Sequence, residues 1–391
     1  MKHTIPSILV SALLTGYTLA DELFMFVTDD EHPYPAQLVG YGLDGIDIID
    51  PIQGHVTIPD DECVVFLRPT PRIDLSGMTR LQLKDGQVFI GQPTSTDSAE
   101  SCQWTHPRFG QLSIPLDLID SIHIHPSTNK DSFTPSLEAD EILLRNGDVL
   151  SGFIMGLSNP IEIEVDRSGT TEVISVPWDR IASIHLFGES SPPKFPRIWF
   201  RDGTIASFPT LTFEDDWWLK VEDHPLSSMS SPHTSKPPSI AMVHAIGFNS
   251  SPIVALGRLS PSSIEVPETR TTAPGPRAAD PSAVLGLSPI ECSGPATFHW
   301  SVPDGMNRFR STVRLPSAMQ RWGDLRIELA VDGVQHRSVH LHGDAPSADI
   351  DMVVDGRVLT IRLLEGENGP VQDTVVFEYP MFMSSPVSTG G

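Results

Sequence analysis

One phrase is written several times in this chain. LQLKDGQVFIG (81–91) returns as LLRNGDVLSG (143–152), with Gly86 and Gly147 61 positions apart, and again as IWFRDGTIAS (198–207). A catalytic centre is normally written once. Repetition at this period marks a small supersecondary unit used several times, and it constrains the fold more than any single residue does.

The two clearest copies share three parts. An opening strand alternates apolar residues, Leu81 and Leu83 in one, Ile142 and Leu144 in the other. A tight turn follows, Asp85-Gly86 or Asn146-Gly147, of the kind that tolerates the positive φ of a two-residue hairpin. The next strand ends in Gly91 or Gly152, and each copy closes on a proline phrase, IPLDLIDSIHI or VPWDRIASIHL. A looser copy turns at Asp202-Gly203 and closes with SIAMVHAIGF (239–248), after a Ser- and Pro-rich insertion at 225–238 that reads as a loop. A first copy opens with LFMFVT (23–28), has a middle strand at Ile46–Ile49 and closes with IPDDECVVFL.

Each copy holds roughly five short strands, and a strongly bent sheet of that size closes on itself, because closure removes exposed edges. The order of strand, acidic-Gly turn, strand ending in Gly and closing phrase resembles Sm-like or SH3-like small barrels over about 24–248. Sm-like barrels that bind RNA use basic loops. The loops here are acidic or neutral, so that activity is not carried over. The expected units are 21–70, 78–126, 138–188 and 196–249.

From about residue 250 the pattern becomes plain alternation. RFRSTVRL (308–315) puts Phe309, Ser311, Val313 and Leu315 on one face and Arg310, Thr312 and Arg314 on the other. LRIELAVDGVQ (325–335) alternates and turns at Asp332-Gly333, a second turn falls at Asp355-Gly356, and DTVVFEYPMF (373–382) is the last strand. TTAPGPRAADPSAV (271–284) is a turn-rich connection. Several such strands without a helical period argue for a two-sheet sandwich. RFRSTVRL, IELAVDG and LTIRLLEGENG, in this order, resemble the NPCBM family, jelly-roll carbohydrate-binding modules attached to family 98 glycoside hydrolases and to many exported bacterial proteins. The resemblance covers roughly 250–384. The family usually carries a Gly-hydrophobic-His phrase where this chain reads LGLSPIECS (285–293), and an acidic-Trp-acidic phrase where it reads TVVFEYP. The chain thus lacks that His and that Trp. The fold class expected is all-β: tandem small SH3-like/Sm-like barrels followed by a C-terminal jelly-roll β-sandwich, with a disordered tail at 385–391.

The chain's 391 residues exceed what one ordinary core organises, and its 36 Pro and 29 Gly disfavour long helices. Residues 1–20 read as a secretory signal peptide, with Lys2, an apolar run from Ile5 to Leu14 and a cut after Ala20. No later stretch has the roughly 18 uninterrupted apolar residues of a spanning helix. The expected location is secreted or periplasmic, with no membrane insertion after cleavage. A net charge of -24 disfavours nucleic acid and anionic membranes, whose binding needs concentrated Lys and Arg. Cys63, Cys102 and Cys292 form no CxxC motif. One bridge, Cys63–Cys102, could form if the first two units pack together, but buried apolar cysteines are the preferred reading.

Chemistry-bearing clusters are few. His123 and His125 share one strand face, as do His340 and His342, but two ligands are not a metal site. Asp29-Asp30-Glu31, Asp60-Asp61-Glu62 and Glu214-Asp215-Asp216 read as solvated turns, because no DxDxDG loop exists to gather a calcium ion's oxygens. Trp217-Trp218, beside those acids, is the candidate sugar-stacking pair; neighbours on a strand face opposite ways, so only one can be exposed. Trp178 reads as packing. GxSxG, HExxH, P-loop and GxGxxG phrases are absent. No cofactor is expected.

These features point to an exported, non-catalytic β-protein whose terminal module binds carbohydrate or a cell-envelope protein. The alternatives are a structural or assembly protein whose sandwich mediates protein contacts and, last, a hydrolase with an unrecognised site.

Overall fold

The computed structural model describes residues 23–28, 33–42, 45–59, 62–68, 77–94, 100–124, 138–167, 170–192, 194, 196–208, 210–214, 218–222, 239–248, 253–268, 274–279, 283–367 and 374–384. The chain is all-β: among the described residues the regular elements are strands and short 3-10 turns. The expected signal peptide, the insertion at 225–238 and the tail lie outside the described residues.

The first repeat contributes β1 (Leu23–Thr28), β2 (Tyr34–Gly42), β3 (Gly45–Asp50), β4 (Gly54–Ile58) and β5 (Cys63–Leu67). The second has β6 (Arg80–Leu83), β7 (Val88–Ile90), β8 (Gln92–Thr94), β9 (Ser101–His106), β10 (Gly110–Pro115) and β11 (Ile119–His123). The third has β12 (Asp140–Leu144), β13 (Val149–Gly156), β14 (Ile161–Arg167), β15 (Thr170–Val176) and β16 (Ile181–His185). The fourth has β17 (Arg197–Phe200), β18 (Ile205–Ser207), β19 (Thr210–Glu214), β20 (Trp218–Glu222) and β21 (Val243–Gly247).

The repeated turn is not the two-residue hairpin that Asp-Gly and Asn-Gly suggest. Gly86 N–H donates to Leu83 O at 2.8 Å, and Leu83 N–H donates to Gln87 O at 2.8 Å, enclosing three residues. Only the glycine takes positive φ: 79° at Gly86, 91° at Gly147 and 93° at Gly203. This is a type I turn finished by a left-handed glycine. The preceding Asp or Asn has a separate task. Its side-chain oxygen accepts the N–H two residues on, at 3.1 Å in Asp85, 3.2 Å in Asn146 and 3.0 Å in Asp202. A true two-residue turn occurs at Asp332-Gly333, where φ is 47° and 84°.

The closing phrase is equally physical. Its proline phrase sets a 3-10 turn, Leu116–Leu118 in the second repeat and Trp178–Arg180 in the third, with Ile240–Met242 in the fourth. The last carbonyl of that turn accepts the N–H just after the opening strand: Leu118 O from Lys84, Arg180 O from Arg145 and Met242 O from Arg201, at 2.9, 2.9 and 2.8 Å. The I-x-x-I spacing then breaks the period-two rule of a strand. A bulge resolves it: one extra residue (Asp120, Ala182 or His244) lets Ile119 and Ile122, Ile181 and Ile184, and Val243 and Ile246 all face the core.

The repeats join edge to edge, out of chain order. Closing strands pair antiparallel, β11 with β16 and β5 with β21, putting Ile122 opposite Ile184 and Phe66 opposite Ile246. The second strands β7 and β18 meet at Val88 and Ile205. The resulting sheet runs third, second, fourth, first repeat, in the order β15-β14-β13-β12-β16-β11-β6-β7-β18-β17-β21-β5-β1-β2-β3-β4. Every junction joins equivalent strands, so a pseudo-twofold at β7–β18 relates repeats three and two to repeats one and four. One hydrophobic core runs from Phe24 to Phe248 through all four.

The C-terminal part is a sandwich of β22 (Ile253–Ala255), β23 (Ser263–Glu265), β24 (Arg277–Ala278), β25 (Ile290–Ser293), β26 (Ala296–Ser301), β27 (Arg308–Arg314), β28 (Asp324–Val331), β29 (Val334–His342), β30 (Ser347–Val353), β31 (Val358–Glu365) and β32 (Thr374–Met383). One sheet is β24-β25-β32-β27-β30 with β22 on β32; the other is β23-β26-β31-β28-β29. Phe298, Trp300, Phe309, Leu325, Ile327, Leu329, Phe377 and Phe382 fill the space between them. Phe309, Ser311, Val313 and Leu315 are buried together as their alternation requires, but Arg310, on the opposite face, is also buried. Its cross-strand neighbour is Met381, and Met381 belongs to a third apolar cluster.

That cluster joins the two parts of the molecule. Val27, Val64, Val65, Leu67, Trp199 and Ala245 of the repeats pack against Ala255, Val284, Leu287, Met381 and Met383 of the sandwich. The outer face of one sandwich sheet is therefore covered. The three cysteines form no disulfide and are buried, Cys63 and Cys102 in the repeat core and Cys292 in the sandwich core. Burial pushes the Cys102 and Cys292 thiols up to about 12, so neither is a ready nucleophile.

Candidate functional site

With one sandwich face used for docking, the other sheet presents the open surface. Along β28, Leu325, Ile327 and Leu329 point into the core, which turns Arg326 and Glu328 outward and puts Asp324, itself buried, on the same side of the strand. Register places His342, His340 and Ser338 of β29 opposite them on the same face. On the other side β31 supplies Arg362 opposite Glu328 and Thr360 opposite Ala330, and β26 supplies Thr297 and His299. The row is mutually braced. His299 Nδ1 is 3.0 Å from Thr360 Oγ1, and Arg362 lies 3.9 Å from the Glu328 carboxylate.

Asp324 is the best-held member. Its carboxylate is hydrogen-bonded to His340 Nε2, and its other oxygen accepts Glu367 N–H at 2.8 Å. Its backbone carbonyl accepts Gly366 N–H at 2.9 Å. The His340 and His342 rings are 5.1 Å apart. Trp322, two residues before Asp324, is 54% exposed. Its backbone is fixed, because Met319 O accepts both Trp322 N–H and Gly323 N–H. The Arg321 guanidinium carbon lies 5.1 Å from the indole centroid. An exposed indole in the loop that opens this polar row can stack on an apolar ring face, and the row's imidazoles can hydrogen-bond to hydroxyls.

Two shallow clefts also lie among the described residues. One, of about 480 Å³, is lined by Asn307, Arg308, Asp351, Met352 and Val353. Arg308 binds Asp351 there with two hydrogen bonds of 2.6 Å, so its polar groups already serve each other. The other, of about 490 Å³, lies in the second repeat between Met78, Gln92, Pro93 and Pro107.

The sequence-derived candidates fare unevenly. Trp217 lies outside the described residues, and of Trp218 only the backbone is described, as the first residue of β20 opposite Glu214. His125 and the acidic residues 29–31, 60–61 and 215–216 also lie outside them. His123 does not meet a metal partner: its ring stands 5.6 Å from His185 across the β11–β16 junction. Among the described residues no three His, Cys, Asp or Glu side chains are grouped to hold a metal ion. Trp178 is packing, as read, with its indole N–H donating to Ser158 O at 3.0 Å. The stretches 285–293 and 374–380 supply Leu285, Leu287 and Tyr379 to the junction with the repeats. Trp322 and Asp324 were missed. The signal available was a Trp in a Gly-bounded loop opening a polar row, Asp324-Arg326-Glu328, across from Ser338-His340-His342.

Fold and face together define an all-β protein whose small-barrel repeats carry a sandwich with one covered and one open face. No sequence family matches the chain, and no curated protein does. Solved structures similar to it include the CBM51 of Clostridium perfringens GH95 in complex with methyl-galactose, at 13% identity and TM-score 0.28, over 34% of this chain and all of that one. A second is the tandem CBM51 pair of the family 98 glycoside hydrolase of Streptococcus pneumoniae, at 14% identity and TM-score 0.28, over 79% of this chain and 88% of that one. A third is CBM51-2 with INT domains of Clostridium perfringens ZmpB in complex with GlcNAc, at 11% identity and TM-score 0.29, over 47% of this chain and less than half, 42%, of that one. Likeness at these scores decides neither ancestry nor ligand.

Proposed function

We propose that the protein is an exported, non-catalytic carbohydrate-binding protein, and that its sandwich takes the sugar on the open sheet, with Trp322 as the stacking platform and His340 and His342 as hydrogen-bonding groups, His340 held in place by Asp324. The observation that carries this reading is the exposed Trp322 indole in the loop that leads into β28, the strand whose Asp324 is braced to His340. The resemblance of 250–384 to the NPCBM family supports the ligand class. The family's missing His and Trp fall in segments given over to the junction, so binding would have moved to the opposite sheet. The signal-peptide reading of residues 1–20 supports export to the periplasm or beyond.

A glycan array with the full chain, followed by calorimetry on any hit, tests it. Trp322→Ala and His340→Ala should each weaken binding at least about tenfold with the fold intact. Loss on Trp217→Ala or Trp218→Ala alone would move the site to the fourth repeat. Binding to no glycan would sink the reading. A second reading, a structural or assembly protein at the cell envelope, is favoured by the covered face: the sandwich already serves as a docking module within its own chain.

A further inference from the structure

The sixteen-strand sheet has two end strands, β15 and β4, and each is the fourth strand of a terminal repeat. Their protection differs. β4 is only five residues long and begins at Gly54, whereas a proline follows each strand, Pro59 after β4 and Pro177 after β15. β15, TTEVISV, is seven residues long, keeps an unbroken register with β14 and contains no Pro, Gly or Lys; Glu172 is its single charge. Native edges are usually blunted by charge, proline or a bulge, because unpaired backbone groups template further pairing. Among the described residues β15 pairs with β14 alone.

The outer surface next to this edge mixes exposed apolar side chains with the acids Glu162, Glu164 and Asp166 of β14. Phe153, Glu164 and Val173 lie in register across β13, β14 and β15, with Phe153 65% and Val173 50% exposed, and Met155 is exposed nearby. The sandwich packs on repeats one and four, at the other end of the strand order.

The chain's own junctions indicate the occupant. Three times, β11 with β16, β5 with β21 and β7 with β18, it joins repeats by antiparallel pairing of equivalent strands. Such a contact is self-complementary and needs only a twofold axis. We propose that β15 is a self-association strand, pairing antiparallel with β15 of a second copy so that the sheet continues through a twofold dimer. Backbone hydrogen bonds supply the attraction, and Val173 gains a cross-strand neighbour from the partner. At a net charge of -24 the two copies repel, so association strengthens with salt.

Sedimentation of the full chain over a concentration series tests this without any sugar ligand. A monomer–dimer equilibrium is expected, with the dimer favoured as salt rises. Val173→Glu, at an exposed position, should raise the dissociation constant at least about tenfold while circular dichroism and melting stay native-like. His55→Glu, at an exposed position on β4, should leave it unchanged. A strictly monomeric chain at about 100 μM in moderate salt would overturn the proposal, as would a dimer lost through His55→Glu and kept by Val173→Glu.

Discussion

His106 Nε2 in the second repeat lies 2.9 Å from Thr204 Oγ1 in the fourth, and both side chains are buried. The tautomer follows from the other ring nitrogen. Nδ1 accepts the N–H groups of Arg108 and Phe109, each at 3.0 Å, so Nε2 carries the proton and donates to Thr204. Beside it Arg108 bridges to Asp202 at 2.9 Å. The β7–β18 junction, with a single residue pair in its ladder, is thus held by buried side chains.

The first prediction concerns acid. Burial pushes His106 down to about 4, with Asp202 opposing and Arg108 adding to the shift. His123 is also lowered to about 4, by burial and then by Arg80 and His185. A histidine depressed in the fold binds its proton more readily when unfolded, so stability falls as pH drops below the unfolded value near 6.5 and towards 4. The loss is at most about 3 kcal/mol for each ring. Urea unfolding at pH 7 and at about pH 4.5 should show it, and His123→Asn should flatten the slope. Equal stability at both pH values would contradict the assignment.

The second prediction lies in the same junction. Ser207 N–H donates to Gln87 Oε1 at 2.9 Å, and Arg197 donates to Asp85 O at 2.6 Å and to Ser207 Oγ at 3.0 Å. Gln87→Ala leaves the buried Ser207 N–H without its acceptor and should cost about 1–3 kcal/mol in denaturant unfolding. Asn146→Ala, in the exposed turn of the third repeat, removes a comparable bond from a place water reaches and should cost well under that. Equal costs would mean that Gln87 plays no part in holding the repeats together.

Much of this architecture could be read from the residues, and what could not has a physical reason. The hairpins, the closing strands and the alternating strands of the sandwich were legible because apolar spacing and glycine turns are local signals. The I-x-x-I spacing marked the closing phrase, though only the structure shows that a bulge at Asp120, Ala182 or His244 accommodates it. The third-second-fourth-first order of repeats was illegible, because it depends on which edges meet across long sequence separations. Arg310 misled for the same reason: alternation gives the face a residue occupies and says nothing of what covers that face. Of the candidate site, His340 and His342 were legible as a pair on one strand face, but Asp324 joins them only through the register of β28 and β29.

A third prediction separates two glycines of one repeat. A Cβ on Gly152 would overlap the carbonyl oxygen of Glu164 on β14, a backbone atom that cannot step aside. A Cβ on Gly147 meets nothing, although its φ of 91° disfavours a side chain. Gly147→Ala should cost about 1–2 kcal/mol, the left-handed penalty alone. Gly152→Ala must part β13 from β14 and should cost clearly more, about 3 kcal/mol or above. Thermal melts of the two variants rank them, and the reverse order would refute the close approach.

The last prediction addresses whether repeats and sandwich unfold as one body. Each part has its own core, and among the described residues the third cluster joins them, with Met381 of β32 fully buried in it alongside Val65 and Trp199 of the repeats. Met381→Ala should cost about 2–5 kcal/mol, since the cavity opens at the contact between the two parts. Val65→Asp goes further: it places a carboxylate in the same apolar contact without removing anything from the sandwich core. If the junction couples the parts, the native chain melts in one calorimetric transition and Val65→Asp splits it into two, the sandwich retaining its own midpoint. Two transitions already present in the native chain would show that the cluster adds too little to bind them, and Arg310 would then owe its burial to the sandwich alone.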